Sequence, residues 1–485
     1  MNCFQDSKSN NNIFWLLLAG SILSFFSVSF YLSAIRHLSF GSSAWDLGIF
    51  SQAVWQISEG MNPISSFLGV HILADHASFF LFLIAVPFRI WQSPITILLL
   101  QSLLISFGLI PLSLLAKRRG LSNLQVFACQ VAYCSYPFIL NISLFDFHPD
   151  ALTIAFFLSM ILAVEINSLL LYVISILIIL STKAVLSLSV LFYGLALLCS
   201  GNEKVEYGAI AGFMGFSWYI FATKFVIPSF GIAEFSVQRH GGHFGELGSS
   251  PMQVIYNSIK SPQIPLRRLF SERSADFMGK IFYPVMYIFL SINKKWAFYV
   301  VACLPTFAIC MLSTSGAFVS DSRQYMLPIV PFVMLAVIDF YDACNKKYSI
   351  GFRKGILFAA VIISVIYFFK FTDAFRVARD FRSVDLNRIS SLRGAISRID
   401  KDSSVITSDK ISPHLASRNS IAMFDTAIDR KIIDYDYILI DNVDPGWKNT
   451  VEANAIMLRK LESSDSCTLI SLDEFHSLYK CKSQR

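Results

Sequence analysis

Long apolar runs recur along almost the whole of this 485-residue chain and limit its fold more than any motif does. Crossing hydrocarbon takes roughly 17–25 residues, and runs of about that length lie near 13–35, 95–115, 123–143, 207–228, 296–316 and 324–340, with further runs near 277–292 and 354–371. The apolar run 151–199 is interrupted at Glu165 and at Lys183, which predicts three short helices. With 54% hydrophobic residues and a mean hydropathy of +0.56, an ordinary soluble domain is excluded. We expect an α-helical polytopic membrane protein with about eleven spans.

The short apolar segment 79–91 decides the expected topology. Its length is too small for a comfortable crossing, and Arg89 and Trp91 at its end favour the membrane interface. If it lies along the outer surface, the cluster Lys117–Arg119 becomes cytoplasmic, as the positive-inside rule prefers. We therefore expect a multi-pass plasma-membrane protein with its N-terminus inside and its C-terminus outside. The transmembrane domain 1–371 then carries long outer loops at 36–94 and 229–276.

The stretch 45–76, just after the first apolar run, is polar, acidic and rich in histidine. Ionisable groups beside lipid are costly to desolvate, so they indicate binding or catalysis. In the expected topology, ionisable side chains from separate segments fall on this same outer face: His37, His71, His76, His148, His240, His243, Asp46, Asp75, Asp146, Asp150 and Lys183. We expect Asp46, His76, His148 and Asp150 to approach one another within reach of a common ligand.

From about residue 372 the chain becomes charged and its apolar runs become short. Strand-like runs lie at Ser404–Thr407, Ile421–Phe424, Tyr437–Ile440 and Thr468–Leu472, and Trp447–Ser463 has helical spacing. We expect a small extracytoplasmic α/β domain at 372–485. Cys467 and Cys481 could pair there in an oxidising compartment. Asp434 and Asp436 form the DxD pattern of nucleotide-sugar transferases, but they lie in a strand-like run, which favours an accidental match.

Several motifs resemble those of one membrane family. They are WDLGIFSQAVWQ, LADHASFFLFLIAVPF, LLLQSLLISFGLIPLSLLAKR, LFDFHPDAL, RQYMLPIVPF and SPHLASR. Over nearly its whole length the chain resembles the family called domain of unknown function 2079, which is similar in architecture to the C-type glycosyltransferases. Those multi-span enzymes use polyprenyl-phosphate sugars, and they share a long first outer loop with an essential carboxylate and a second acidic position after the third span. Asp46 and Asp150 occupy the matching places here.

The resemblance implies catalytic roles for three residues. Sugar transfer from a lipid phosphate needs a base for the acceptor proton and cations for the leaving phosphate. Asp46 is the candidate base, and its structural alternative is the N-cap of a helix at 47–57. His148 and Asp150 are the other catalytic candidates, with an interfacial histidine and a helix cap as their alternatives.

Six further residues are candidates for substrate binding: His71, Asp75, His76, Lys183, Arg323 and Tyr325. Asp75 and His76 could orient the acceptor or bind a divalent metal ion, or they could cap a helix. Lys183 could hold a phosphate, or it could extend to the interface. The family leads us to expect an acidic residue directly after this lysine, and Ala184 stands there instead. Arg323 and Tyr325 could contact phosphate and sugar, or belong to an interfacial belt.

The functional expectation is a membrane glycosyltransferase that moves a sugar from a polyprenyl-phosphate donor to an acceptor on the outer face. Its partners are the lipid donor and membrane lipids. Nucleic acid is not expected, because much of the net charge of +7 lies in short loops beside the spans. One alternative is a non-catalytic lipid-binding or cell-envelope assembly protein, which the absence of an acidic residue after Lys183 favours. The other is a lipid or solute carrier.

Overall fold

Helices make up the chain as far as Phe371 in the computed structural model, which describes residues 2–201, 204–231, 241–424, 435–447, 450–462 and 466–482. The α-helices of this part are α1 (Asn2–Leu38), α2 (Ile49–Ser58), α3 (Ile72–His76), α4 (Phe80–Phe88), α5 (Pro94–Phe107), α6 (Leu109–Arg118), α7 (Asn123–Cys134), α8 (Pro137–Leu144), α9 (Thr153–Glu165), α10 (Leu169–Thr182), α11 (Leu186–Cys199), α12 (Val205–Phe221), α13 (Ile227–Phe230), α14 (Pro251–Lys260), α15 (Gln263–Leu269), α16 (Glu272–Phe282), α17 (Lys295–Leu312), α18 (Val330–Lys347) and α19 (Ile350–Phe371). Two strands of two residues each, β1 (Ile64–Ser65) and β2 (Val70–His71), pair in an antiparallel hairpin.

Shorter helical pieces connect these elements. Turns of π-helix lie at Ala44–Gly48 and Ala222–Val226, and 3₁₀ segments lie at Pro149–Leu152, Gly241–Leu247, Tyr283–Ser291, Gly316–Val319, Gln324–Ile329 and Ser412–Leu415. Several of them occur where the chain must bring a polar side chain back toward the helical bundle. The segments at 44–48, 149–152 and 324–329 each carry a residue of the cavity described below.

Six helices are long and apolar enough to cross a membrane: Asn11–Leu38, Pro94–Arg118, Val205–Phe230, Lys295–Leu312, Gln324–Lys347 and Ile350–Phe371. The pair α7 and α8, bent by 45°, could add a seventh. The protein is therefore a multi-pass integral membrane protein. The expected count of about eleven spans stays a prediction, because α9, α10 and α11 have only 13, 14 and 14 residues. Segment 79–91 forms the nine-residue helix α4, which is too short to cross hydrocarbon.

The breaks between α9, α10 and α11 fall where the sequence predicts them. Asn167 takes a positive φ of 57°, and Ser168 then caps α10 by accepting a hydrogen bond from the Leu171 amide. At the other end of α10, Lys183 leaves the helix with φ −160° and ψ 132°. This extended residue turns the chain between two apolar helices, and it directs a lysine into the protein.

Helices α11 and α12 pack closely because glycines line their contact. A Cβ atom on Gly194 would lie 2.5 Å from the backbone nitrogen of Gly212, and one on Gly215 would lie 2.6 Å from that of Leu191. Small residues that let helix backbones approach are the usual basis of helix association in membranes. This contact holds α11, which begins three residues after Lys183, against α12.

A five-stranded mixed sheet forms the C-terminal region, after α20 (Ala374–Arg382) and α21 (Leu386–Ser397). Its strands are β3 (Val405–Thr407), β4 (Ile421–Met423), β5 (Tyr437–Asp441), β6 (Cys467–Leu472) and β7 (His476–Cys481), with α22 at Val451–Glu462. The strand order is β4-β3-β5-β7-β6; β3 is parallel to β4 and β5, and β7 is antiparallel to β5 and β6. The expected pairing of Cys467 with Cys481 is confirmed, since the two form a disulfide across β6 and β7.

Asp436 has a structural role in this sheet. Its Oδ2 accepts hydrogen bonds from the amide and the hydroxyl of Ser404, each at 2.8 Å, at the start of β3. This supports the interpretation of the DxD pattern as accidental. Asp434, the first residue of the pattern, lies outside the described residues, as does His240 among the predicted outer histidines.

The C-terminal sheet packs on the segment that follows α1. Gln52 Nε2 donates to the Arg418 carbonyl at 3.0 Å, and the Ser66 hydroxyl donates to the Ile421 carbonyl at 2.7 Å. One buried apolar cluster includes side chains of both regions. The first long loop and the C-terminal sheet therefore share a core.

Candidate functional site

A small cavity lies beside the break between α10 and α11. Its volume is about 20 Å³, which is room for roughly one water molecule. Five separate stretches of chain line it: Trp45, Asp46, Ile49, Phe50, Asp75, His76, Ser78, His148, Pro149, Asp150, Thr182, Lys183 and Gln324. The expected approach of Asp46, His76, His148 and Asp150 is therefore found, and Asp75 and Lys183 join them. The chemical roles of these residues stay predictions.

Asp46 and His148 form the first pair in the cavity. Asp46 lies in the π-helical turn Ala44–Gly48, where the Ser43 hydroxyl accepts from the Trp45 amide at 3.2 Å. Ser43 is the N-cap of this turn and Gly48 is the N-cap of α2, so Asp46 does not occupy the cap position of either element. Asp46 Oδ1 lies 3.2 Å from Nε2 of His148, whose side chain is 3% exposed. Their contact lacks hydrogen-bond alignment, and within the described residues His148 Nδ1 also has no hydrogen-bond partner.

Asp150 and Lys183 form the second pair. Lys183 Nζ donates to Asp150 Oδ2 at 3.2 Å, and both side chains are buried. Burial opposes the charge on Lys183, but Asp150, Tyr325 and Asp75 outweigh it, so the pKa of the ammonium is raised. The lysine is thus held charged inside the protein. The Asp150 side chain is the partner of Lys183, and Asp150 occupies neither cap position here, since His148 precedes Pro149–Leu152 and Leu152 precedes α9.

Asp75 and His76 come from the short helix α3. His76 Nε2 lies 3.4 Å from Asp75 Oδ2, and Asp75 is buried. The chain leaves α3 at Ala77 with a positive φ of 53°. The His76 carbonyl accepts from the Ala184 amide at 2.9 Å, so this backbone contact holds the loop of Asp75 against the loop of Lys183.

Three predicted substrate-binding residues do not line the cavity. His71 caps α3 by accepting from the Leu73 amide at 3.1 Å, and burial lowers its pKa. Arg323 lies 4.6 Å from the centre of the Phe145 ring, which stacks in turn on His148. Tyr325 is nearer to the cavity, since its ring centre is 5.4 Å from Lys183 Nζ. His71 is therefore built into the scaffold, whereas Arg323 and Tyr325 form a second layer around the cavity.

Gln101 and Asp146 position His148, a role that was not predicted for either residue. Gln101 donates from Nε2 to the Asp146 carbonyl at 2.6 Å and accepts at Oε1 from the His148 amide at 2.8 Å. Asp146 takes a positive φ of 126° and pairs with Arg36 at 2.6 Å. A polar glutamine inside the apolar run 95–115 is the signal that could have identified Gln101, because such residues are rare in spans and need partners.

Asp409 of the C-terminal region holds the segment of Asp46. Its Oδ1 accepts from the Ser43 hydroxyl at 2.9 Å and from the Ala44 amide at 2.8 Å, and its Oδ2 accepts from the Trp447 amide at 3.3 Å. Asp409 is buried, which raises its pKa despite these donors. No local pattern marks this residue, except that it lies just before the motif SPHLASR.

The cavity combines a proton acceptor with a buried cation. Three carboxylates (Asp46, Asp75 and Asp150) outnumber the single ammonium of Lys183, so a bound phosphate would have to displace Asp150 as the partner of the lysine. The carboxylate of Asp46, in contact with an imidazole, can accept a proton from a ligand hydroxyl. In the part of the chain that the structure describes, no three His, Cys, Asp or Glu side chains are arranged to hold a metal ion. We therefore assign no metal to Asp75 and His76.

Comparisons with known proteins agree with this architecture. The family model described as a predicted membrane protein, DUF2079, matches residues 36–466. No curated protein matches the sequence. The fold is similar to crystal structures of ArnT from Cupriavidus metallidurans, one bound to undecaprenyl phosphate and one in the apo state. Each has a TM-score of 0.57 at 10% identity, over 96% of this chain and 97% of that chain. Since the family model spans the cavity and most of both regions, the chain belongs to the DUF2079 family of membrane proteins.

Proposed function

We propose that this protein is a glycosyltransferase that moves a sugar from a polyprenyl-phosphate donor to an acceptor hydroxyl at the membrane surface. One observation carries the proposal: Asp46, the pair His148 and Asp150, and Lys183 come from three separate segments and meet in one cavity. The likeness in fold to ArnT, whose solved structure holds undecaprenyl phosphate, supports a lipid phosphate as the donor's carrier. The outer face of the membrane is the side that the positive-inside rule favours.

The chemistry assigns one step to each pair. The acceptor oxygen attacks the anomeric carbon, its proton passes to the Asp46 carboxylate, and the bond from the sugar carbon to the phosphate oxygen breaks. The phosphate leaves with the bonding electrons, and Lys183 stabilises the charge that develops on it. His148 lies against Asp46, with 3.2 Å between Nε2 and Oδ1, so it limits the positions that the carboxylate can take and helps to orient the base.

Lys183 keeps an acidic partner although Ala184 replaces the acid expected after it. Asp150 supplies that carboxylate from a different segment, at 3.2 Å, and Asp75 adds a further negative charge nearby. When the donor enters, Lys183 can exchange its ion pair with Asp150 for an ion pair with the donor phosphate. The altered motif is thus compatible with an active site.

The test is sugar transfer by purified protein in liposomes, with a panel of polyprenyl-phosphate sugars as donors. Asp46→Asn keeps the size of the side chain and removes its basicity, so turnover should fall by roughly 10²–10⁴ while undecaprenyl phosphate still binds. Asp380→Asn is the matched control, because Asp380 is an exposed residue of α20 that pairs with the equally exposed Arg379. Wild-type turnover by Asp46→Asn would remove Asp46 from the role of base. If the wild-type protein binds the lipid but transfers no sugar, a non-catalytic lipid-binding protein becomes the better interpretation.

A further inference from the structure

Two short helices after residue 250 present apolar side chains that the described protein does not cover. On α14, Met252, Ile255, Tyr256 and Ile259 are 74%, 55%, 64% and 76% exposed. Their spacing of i, i+3, i+4 and i+7 places them on one face of the helix. Next to it, Leu266 and Phe270 are 51% and 86% exposed, at the end of α15. Neither helix has a buried residue. We call this surface the 251–270 face.

The 251–270 face is attached to the end of a membrane span. The Arg268 guanidinium donates to the carbonyl of Leu312, the last residue of α17, and to the Phe244 carbonyl at 2.9 Å. The Arg273 guanidinium donates to the carbonyls of Ser313 and Ser315. Since α17 is one of the six helices long and apolar enough to cross a membrane, its end lies near the bilayer surface, and the attached helices lie there too.

Aromatic contacts place the 251–270 face on the same side of the membrane as the cavity. The chain leaves α17 and passes through Phe318, whose ring stacks on Tyr325 with 4.0 Å between ring centres. Tyr325 lies over Lys183 at 5.4 Å. His243, just before α14, contacts Phe318 with 5.1 Å between ring centres. A continuous set of aromatic contacts therefore runs from the start of this loop to the cavity.

We propose that the 251–270 face binds the lipid surface, with its apolar side chains in the acyl boundary of the leaflet at the cavity's side of the membrane. Basic residues stand at the ends of the two helices, at Lys260 and Arg267, where they can contact anionic headgroups. An exposed apolar face with basic flanks is typical of interfacial helices. The attachment to α17 makes the face continuous with the bilayer contact of the spans. This inference does not depend on the proposed sugar transfer.

The test measures the depth of spin labels on the full-length protein in vesicles of equal parts phosphatidylcholine and phosphatidylglycerol. Nitroxides at Ile255→Cys and Ile259→Cys should be relaxed by oxygen, which concentrates in lipid, and protected from a water-soluble nickel chelate. Lys260→Cys, the neighbour at the edge of the same helix, is the matched control and should be reached by the chelate. Phe216→Cys, on the exposed side of α12, is the lipid reference. Leu266→Cys gives an independent measurement from α15.

Two results would overturn the inference. Labels at 255, 259 and 266 that the chelate reaches as readily as the label at 260 would mean that the helices stand in water. Spin–spin broadening that disappears on dilution with unlabelled protein would mean that a second copy of the chain covers the face instead of lipid. Because the substituted side chains are exposed, unchanged elution on gel filtration is expected for each variant and shows that folding is intact.

Discussion

Asp409 controls the position of the proposed base from the other end of the chain. It accepts two hydrogen bonds from the residues directly before Asp46, the Ser43 hydroxyl and the Ala44 amide, and both are short. A buried donor that loses its acceptor costs about 1–3 kcal/mol. The π-helical turn that carries Asp46 is therefore held by a carboxylate of the C-terminal region, and we regard Asp409 as a positioning residue.

Replacing Asp409 should loosen this turn without touching the cavity lining. In Asp409→Ala, two donors of the Ser43–Ala44 segment lose their acceptor, and hydrogen–deuterium exchange of the peptide over 43–50 should rise about tenfold or more. Asp409→Asn keeps one oxygen for these donors and should have a smaller effect. Asp444→Ala is the control, because Asp444 lies in the same region and contacts Lys410 at 2.5 Å. Unchanged exchange over 43–50 in Asp409→Ala would contradict the positioning role.

Several cavity residues could be predicted from sequence because their chemistry is anomalous beside lipid. Asp46, Asp150 and Lys183 stand out as charges among apolar neighbours, and each lines the cavity. Asp409 could not be found in the same way. The positioning role of Asp409 depends on its contact with Ala44, which is 365 residues away in the sequence. That contact exists only once the sheet has packed on the first loop.

At the scale of elements, prediction succeeded where a local signal ends a helix. Polar residues at Glu165 and Lys183 divided the apolar run 151–199 into three helices, and the structure has the same division. It failed where the element depends on distant partners. The strand β7 carries His476 and Lys480 and has no clear apolar run, but it lies between β5 and β6 in the sheet. The π-helical turn before α2 depends on Asp409 and was expected to be the start of a regular helix.

The packing of the segment SPHLASR on α1 should depend on pH. The His414 ring stacks on His37 and lies 4.2 Å from the Phe40 ring, and burial, with Arg393 nearby, lowers the pKa of His414 to about 3. The folded imidazole thus binds its proton later than the unfolded one, whose pKa is near 6.5. The contribution to stability is present above that value and is lost as the pH falls toward about 3.

His414→Phe keeps an aromatic ring at this place and removes the titration. Between about pH 6.5 and about pH 5, the wild-type protein should lose about 2 kcal/mol of unfolding free energy more than the variant, measured by thermal unfolding in detergent. A similar loss in both proteins would assign the acid sensitivity to other groups. His476, whose pKa burial also lowers, remains in both proteins and so cancels in the comparison.

Across the whole molecule, the cavity lies at one end of the helices and a basic cluster lies at the other. Helix α9 begins beside Asp150 and ends at Glu165, about 20 Å away for its thirteen residues. At that far end Arg119 pairs with Glu165 at 2.5 Å, and Asp339 pairs with Lys295 at 2.7 Å. The basic ends of several helices therefore meet on the side opposite to the cavity. From this arrangement the positive-inside rule predicts that the basic side is cytoplasmic and that the cavity lies on the outer side.

Cysteine labelling decides this topology in intact cells. Cys199, the exposed free cysteine of the described residues, is first replaced by serine. A membrane-impermeant maleimide should then label Lys401→Cys and Lys260→Cys but not Arg118→Cys, and all three should react after the membrane is opened. The reason is that residue 118 lies in the basic cluster, whereas 260 and 401 belong to the cavity's side. If residue 118 alone is labelled in intact cells, the protein has the opposite orientation in the membrane. The cavity would then face the cytoplasm, and any lipid-linked donor would have to be supplied on the inner leaflet.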